Sequence, residues 1–94
     1  MSKTVVVETS NVVYALARQR EIRVVLRDNT TYADLIAALA QAVPALVGEV
    51  ISKDKRHLIG DYLLNVGGRV TIQDLSEVTD IREGERVVFL TDAC

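Results

Sequence analysis

Few side chains here have the type and spacing that chemistry needs. The single cysteine, Cys94, stands at the end of the sequence, where a thiol is accessible and could carry sulfur as a persulfide or form an intermolecular disulfide. No fixed positive group beside it would lower its pKa, so a free terminal residue is the plainer reading. The single histidine, His57, sits among Lys53, Lys55 and Arg56. One histidine without cysteines or clustered carboxylates nearby is a poor metal site, and a solvated loop explains it better. Serines, threonines and aspartates are present, but one histidine does not assemble a nucleophilic triad with them. Gly67-Gly68-Arg69-Val70 lacks the Lys-Ser/Thr of a phosphate-cradling loop. The expected set is therefore no catalytic residue, no metal ligand and no cofactor, which directs attention to the tail Thr91-Asp92-Ala93-Cys94.

Composition narrows the class. Ninety-four residues, 49% apolar and 26% charged, fit a single globular domain over 1–94. Eleven lysines and arginines against thirteen acidic residues leave a net charge of −2, which demands no nucleic-acid partner. The run Val5-Val6-Val7 is closed by Glu8, and no apolar stretch reaches the length of a membrane span. A lone cysteine fits a reducing compartment, so the expected location is cytoplasmic. The basic residues gather in two places, the loop around His57 and the set Arg18, Arg20, Arg23 and Arg27. Glu21, Asp28 and Asp54 interrupt both, and a solvated charged face is the expected reading of each.

The elements that must position these residues follow from pattern. Val5-Val6-Val7 predicts a first strand ending near Glu8. Asn11 to Ala17 is ambiguous, because Val12 and Val13 favour strand while Ala15-Leu16-Ala17 favour helix. Glu21 to Arg27 alternates Ile22, Val24 and Leu26 against Arg23, Val25 and Arg27, a strand with one apolar and one mostly basic face. Thr31 with Asp34 resembles a capping box, and Leu35, Leu39, Ala42 and Val43 lie on one helical face with Ile36 beside it. Pro44 ends that helix by disfavouring helical geometry at Val43. Leu46, Val47, Val50 and Ile51 are expected to tuck against the core ahead of an exposed loop, Ser52 to His57. Asp61 to Val66 and Arg69 to Ile72 are two strands joined by Gly67-Gly68, a reverse-turn signal. Asp74 to Thr79 links them onward, through a brief helical turn, to the Arg82–Glu85 turn. Glu85 to Leu90 is the closing strand. Strands mixed with one long helix, without regular alternation, predict an α+β fold: a ubiquitin-like β-grasp, with a mixed sheet and the helix packed across one face.

Three segments carry a family resemblance. Thr31-Tyr32-Ala33-Asp34-Leu35-Ile36-Ala37-Ala38-Leu39 resembles the T-V-x-D-L-L-x-x-L helix start of the MoaD/ThiS sulfur carriers, which are ubiquitin-like β-grasp proteins. Leu63-Leu64-Asn65-Val66-Gly67-Gly68-Arg69-Val70 is similar to that family's V-x-V-N-G-x-x-V hairpin, and Ile81-Arg82-Glu83-Gly84-Glu85-Arg86-Val87-Val88-Phe89 to its L-x-x-G-D-E-V-x-x pattern. Together they span most of the chain from Glu21 onward. The resemblance implies a non-enzymatic small carrier in molybdopterin or thiamine biosynthesis. A partner enzyme adenylates the C-terminal carboxylate of such a carrier, and sulfur then replaces the adenylate. It implies a protein partner, either the activating enzyme or a larger catalytic subunit, rather than nucleic acid or membrane. The family's tail ends in Gly-Gly, residues slim and flexible enough to thread into an ATP site. Here Thr91, Asp92, Ala93 and Cys94 stand in that region without a diglycine, and Gly67-Gly68 is internal. The alternative is a non-conjugating relative serving as a protein-binding accessory subunit. Arg69, Arg86 and Phe89 are the expected partner contacts, Phe89 because exposed aromatics are efficient anchors.

Overall fold

A short β-branched run, Val5-Val6-Val7, lies in the first strand of the sheet. In the computed structural model, which describes residues 2–9, 11–27, 29–60, 62–68, 70–72, 74–79 and 81–91, strand β1 runs Ser2–Glu8 and pairs antiparallel with β2, Glu21–Arg27. Val5 and Val7 are buried on one face of β1, and Ile22, Val24 and Leu26 on the same face of β2. The ambiguous stretch between them is helical: α1 spans Asn11–Ala17. Tertiary packing settles that conflict of propensities, because Val13 is buried and α1 lies beside the turn that follows the second helix.

That second helix, α2, covers Tyr32–Ala42, where a helix is expected, so the described residues hold two α-helices where the sequence predicts one long one. Its capping box is formed: Asp34 N–H donates to Thr31 Oγ1 at 3.2 Å, and Thr31 N–H donates to Asp34 Oδ2 at 2.9 Å. Leu35, Ile36 and Leu39 are fully enclosed, and α2 packs over the inner face of β2. Ala42 is exposed instead of belonging to the buried face, since the helix ends there and the chain turns away. Pro44 opens a short 3-10 turn, Pro44–Leu46, which buries Leu46, and Val50 and Ile51 join the core as expected.

The remaining strands complete a five-stranded sheet in the order β2-β1-β5-β3-β4. Described from Tyr62, β3 runs to Val66, β4 covers Val70–Ile72 and β5 covers Arg86–Thr91. The β3–β4 hairpin turns at Gly67 and Gly68, with φ of 61° and 73°, and Gly68 N–H donates to Asn65 Oδ1 at 2.9 Å. A side chain at Gly67 would be strained by its φ and would also meet Glu85, whose Oε2 lies 2.6 Å from the Cβ position. The only parallel pairing among the described strands joins β1 to β5. It brings residues from the two ends of the sequence side by side at the centre of the sheet, with Val6 opposite Arg86 and Glu8 opposite Val88. The link Asp74 to Thr79 forms turns instead of a helical turn. It is held against the start of α2, where Tyr32 and Ala33 N–H donate to the Glu77 and Leu75 carbonyls.

Candidate functional site: the outer face of the sheet

The helix covers one face of the sheet, so side chains of opposite parity form the other. On β5 that parity selects Arg86, Val88 and Leu90; on β1, Thr4, Val6 and Glu8; on β2, Glu21, Arg23, Val25 and Arg27. Leu63 and Asn65 of β3 and Thr71 of β4 continue the surface. Its apolar part lies where β5 ends. Leu90, 41% exposed, is directly opposite half-buried Leu63, with half-buried Val88 two residues back along the strand.

Its charged centre is a brace across three strands. Glu8 and Glu21 are directly opposite each other in the β1–β2 ladder, an arrangement that repels. Arg86 resolves it from β5, donating through Nη1 to Glu8 Oε1 at 2.7 Å and to Glu21 Oε2. The hydrogen bond from Arg86, its charge, and more weakly the charge of Arg23 hold the Glu21 carboxyl below the usual glutamate range. Arg86 in turn keeps its proton more tightly through Glu21 and then Glu8. Half its side chain remains exposed, so this expected partner contact is also a structural clamp.

Phe89, expected as an anchor for a partner, faces the other way. It is 6% exposed, belongs to the core, and meets the Tyr62 ring edge-on at a centroid distance of 6.5 Å. Strand alternation dictates this, because Val87 and Phe89 share the inner parity. Neighbouring Leu90 is the exposed apolar residue of the strand. Among the aromatic residues it is Tyr14 on α1 that is exposed, at 43%, while Tyr32 is buried. Thr91 closes β5; Arg69, Asp92, Ala93 and Cys94 lie outside the described residues.

The remaining chemistry-bearing residues border a groove of about 490 Å³ on the helix side, between the start of α2, the Arg56–Leu58 loop and the Leu75–Ser76 turn. Its polar groups are already engaged locally. His57 Nδ1 is 3.0 Å from Asp54 Oδ2, Arg56 is 3.7 Å from Asp34, and the Ser76 hydroxyl donates to Asp74 at 2.6 Å. Bonds from the Ser76 hydroxyl and amide hold Asp74 below its usual range, while bonds from Ser52, the Arg56 amide and His57 do the same for Asp54. The Thr31 amide, then its hydroxyl, and Arg56 lower Asp34. The first amides of α2 are spent on Glu77, Leu75 and Thr31, so the helix start offers no free donors to an anion. No cluster of metal-ligating residues occurs among the described residues, and no described helix is long and apolar enough to cross a membrane.

No family model matches the chain, and no curated protein sequence does. Solved structures do. The crystal structure of SAMP1 from Haloferax volcanii superposes with a TM-score of 0.78 at 22% identity, covering 96% of both chains. A crystal structure of H. volcanii small archaeal modifier protein 1 gives 0.76 at 23% identity, over 93% of this chain and 94% of that one. The solution structure of the H. volcanii HVO 2177 protein gives 0.73 at 16% identity, over 99% and 86%. At these identities the likeness establishes the fold: a ubiquitin-like β-grasp over nearly the whole chain, shared with small modifier proteins.

Proposed function

We propose that this chain is a small ubiquitin-like carrier or modifier that acts by docking a partner enzyme, is not itself an enzyme and needs no cofactor. The whole chain works as one β-grasp unit in the cytoplasm. The partner meets the outer sheet face around Leu63, Val88 and Leu90, with Arg86 and Arg69 as polar contacts at its border. Strand β5 leads from that patch into Thr91, Asp92, Ala93 and Cys94, the segment presented to the partner for activation. The observation that carries this reading is the end-to-end match to a protein named as a modifier, combined with an apolar patch on the strand that precedes the tail. The scarcity of catalytic constellations among the described residues is consistent with it, because adenylation of a terminal carboxylate uses the partner's catalytic groups. The MoaD/ThiS resemblance makes sulfur the expected cargo.

The test is intact-mass spectrometry of the purified protein after incubation with the adenylating enzyme of its own host, ATP and a sulfur donor. A gain corresponding to an adenylate or to sulfur at the C-terminal carboxylate is the expected result. No mass change, together with stable binding that survives deletion of 92–94, would replace this reading by that of an accessory subunit. Loss of binding on that deletion would favour the carrier.

A further inference from the structure

Strand β2 ends the sheet on one side, and no strand among the described residues pairs with its outer edge. The register with β1, together with the 2.9 Å bond from Thr9 N–H to the Arg20 carbonyl, establishes which groups face outward. Hydrogen-bonded and non-hydrogen-bonded pairs alternate in an antiparallel ladder, so Ile22, Val24 and Leu26 exchange bonds with β1. Glu21, Arg23, Val25 and Arg27 aim N–H and C=O away from the sheet. The Arg27 carbonyl accepts from the Thr30 hydroxyl at 3.0 Å. Among the described residues, no backbone group reaches the outward donors and acceptors of Glu21, Arg23 and Val25.

The same residues carry the outer-face side chains. Val25 is 65% exposed between exposed Arg23 and Arg27. Neither arginine has a carboxylate within ion-pair distance among the described residues, and Glu21 is committed to Arg86. Arg18 and Arg20, just before the strand, add positive charge beside it. Among the described residues, open backbone and arginines that make no ion pair therefore coincide on a single strand.

We propose that β2 is a docking edge for an extended acidic segment of a partner protein, which adds to the sheet beside it. Main-chain bonds to Arg23 and Val25 supply affinity, and side chains of alternate residues supply the pattern. Residues facing Arg23 and Arg27 are acidic and the residue between them, facing Val25, is apolar, because opposite charges stabilise a cross-strand pair and like charges destabilise it. A second copy of this chain fits less well: antiparallel pairing centred on Val25 sets Arg23 against Arg27 twice, and pairing centred on Val24 would set Arg27 against Glu21, a carboxylate already held by Arg86. Single-stranded nucleic acid lacks its stacking platform, since β2 contains no aromatic residue. This edge is independent of the tail and of any carrier chemistry.

The test is an NMR titration of the full, isotope-labelled chain with a synthetic peptide carrying two glutamates around a central valine at alternate positions, threonines elsewhere. Saturable shifts at Arg23, Val25 and Arg27, slowed exchange of the Arg23 and Val25 amides, and affinity that falls with salt are expected. The double variant Arg23→Glu/Arg27→Glu should weaken binding about ten-fold or more and prefer a peptide with lysines in place of the glutamates. Val25→Pro keeps both arginines but removes an outward N–H, and should also weaken binding. Methylating the peptide nitrogens that face β2 tests the same bond without altering the protein. Absence of saturable binding, shifts centred away from β2, or indifference to both charge reversal and N-methylation would each overturn the proposal. Equal binding of poly-uridine RNA at the same amides would overturn it too, reducing the edge to a general polyanion surface.

Discussion

Strands β5 and β2 both place arginine on the outer face of one sheet, yet the arginines differ in what they are free to do. Arg86 on interior β5 is held between Glu8 and Glu21, while Arg23 and Arg27 on edge strand β2 make no ion pair among the described residues, Arg23 acting on Glu21 only weakly and through its charge. Position in the sheet makes the difference. An interior strand has neighbours on both sides whose side chains can be recruited, whereas an edge strand leaves half of its backbone and its charges to solvent or to a partner. The same contrast separates the two faces of β5, where Phe89 belongs to the core and Leu90 to the surface.

Truncating Phe89 to alanine should destabilise the protein most, costing about 3–5 kcal/mol in denaturant unfolding because it removes a packed ring from the core. A cost below about 0.5 kcal/mol, the range of surface substitutions, would place the ring outside the core. Next in size is Arg86→Ala, which leaves Glu8 and Glu21 opposed without a cation and should lower Tm near neutral pH. Its pH dependence carries the sign. In the native protein the Glu21 carboxyl lies below its ordinary value of 4.5, so its contribution is present above that value and is lost as pH falls through the depressed range. Without Arg86 the facing charge of Glu8 is uncompensated and the folded Glu21 carboxyl loses what holds it low, so acidification from neutral pH should recover stability in the variant. Thermal melts at pH 7 and in the carboxylate range check this, and parallel pH profiles for the two proteins would contradict it. Leu90→Ser should leave stability within about 0.5 kcal/mol, as for a surface residue, but weaken capture of the partner enzyme in a binding assay. Smallest of all, Arg23→Ala/Arg27→Ala should leave the unfolding midpoint almost unchanged, because no described ion pair is lost.

Local signals in the sequence carried most of the fold. The Thr31 and Asp34 spacing marked the start of α2, Pro44 its end, and Gly67-Gly68 the hairpin, since each acts within a few residues. The β1–β5 pairing depends on contacts between opposite ends of the chain, as does the Arg86 clamp on Glu8 and Glu21. No local pattern announces either. The facing of Phe89 was obscured for a related reason: Val87, Val88, Phe89 and Leu90 are all apolar, so the period-two signal vanishes where the strand is most hydrophobic. Helix α1 required tertiary packing of Val13 to decide between competing propensities. The edge on β2 was half visible, as a run of arginines with one apolar face, but sheet order was needed to see that its backbone is open.

The most direct test of the docking role is NMR mapping of the labelled protein against its host's adenylating enzyme. Docking through the outer sheet face requires line broadening centred on Leu63, Val88, Leu90 and Thr91, with the exposed residues of α2 left unperturbed. Broadening centred on α2 and the Arg56–Leu58 loop, with β5 unaffected, would contradict it.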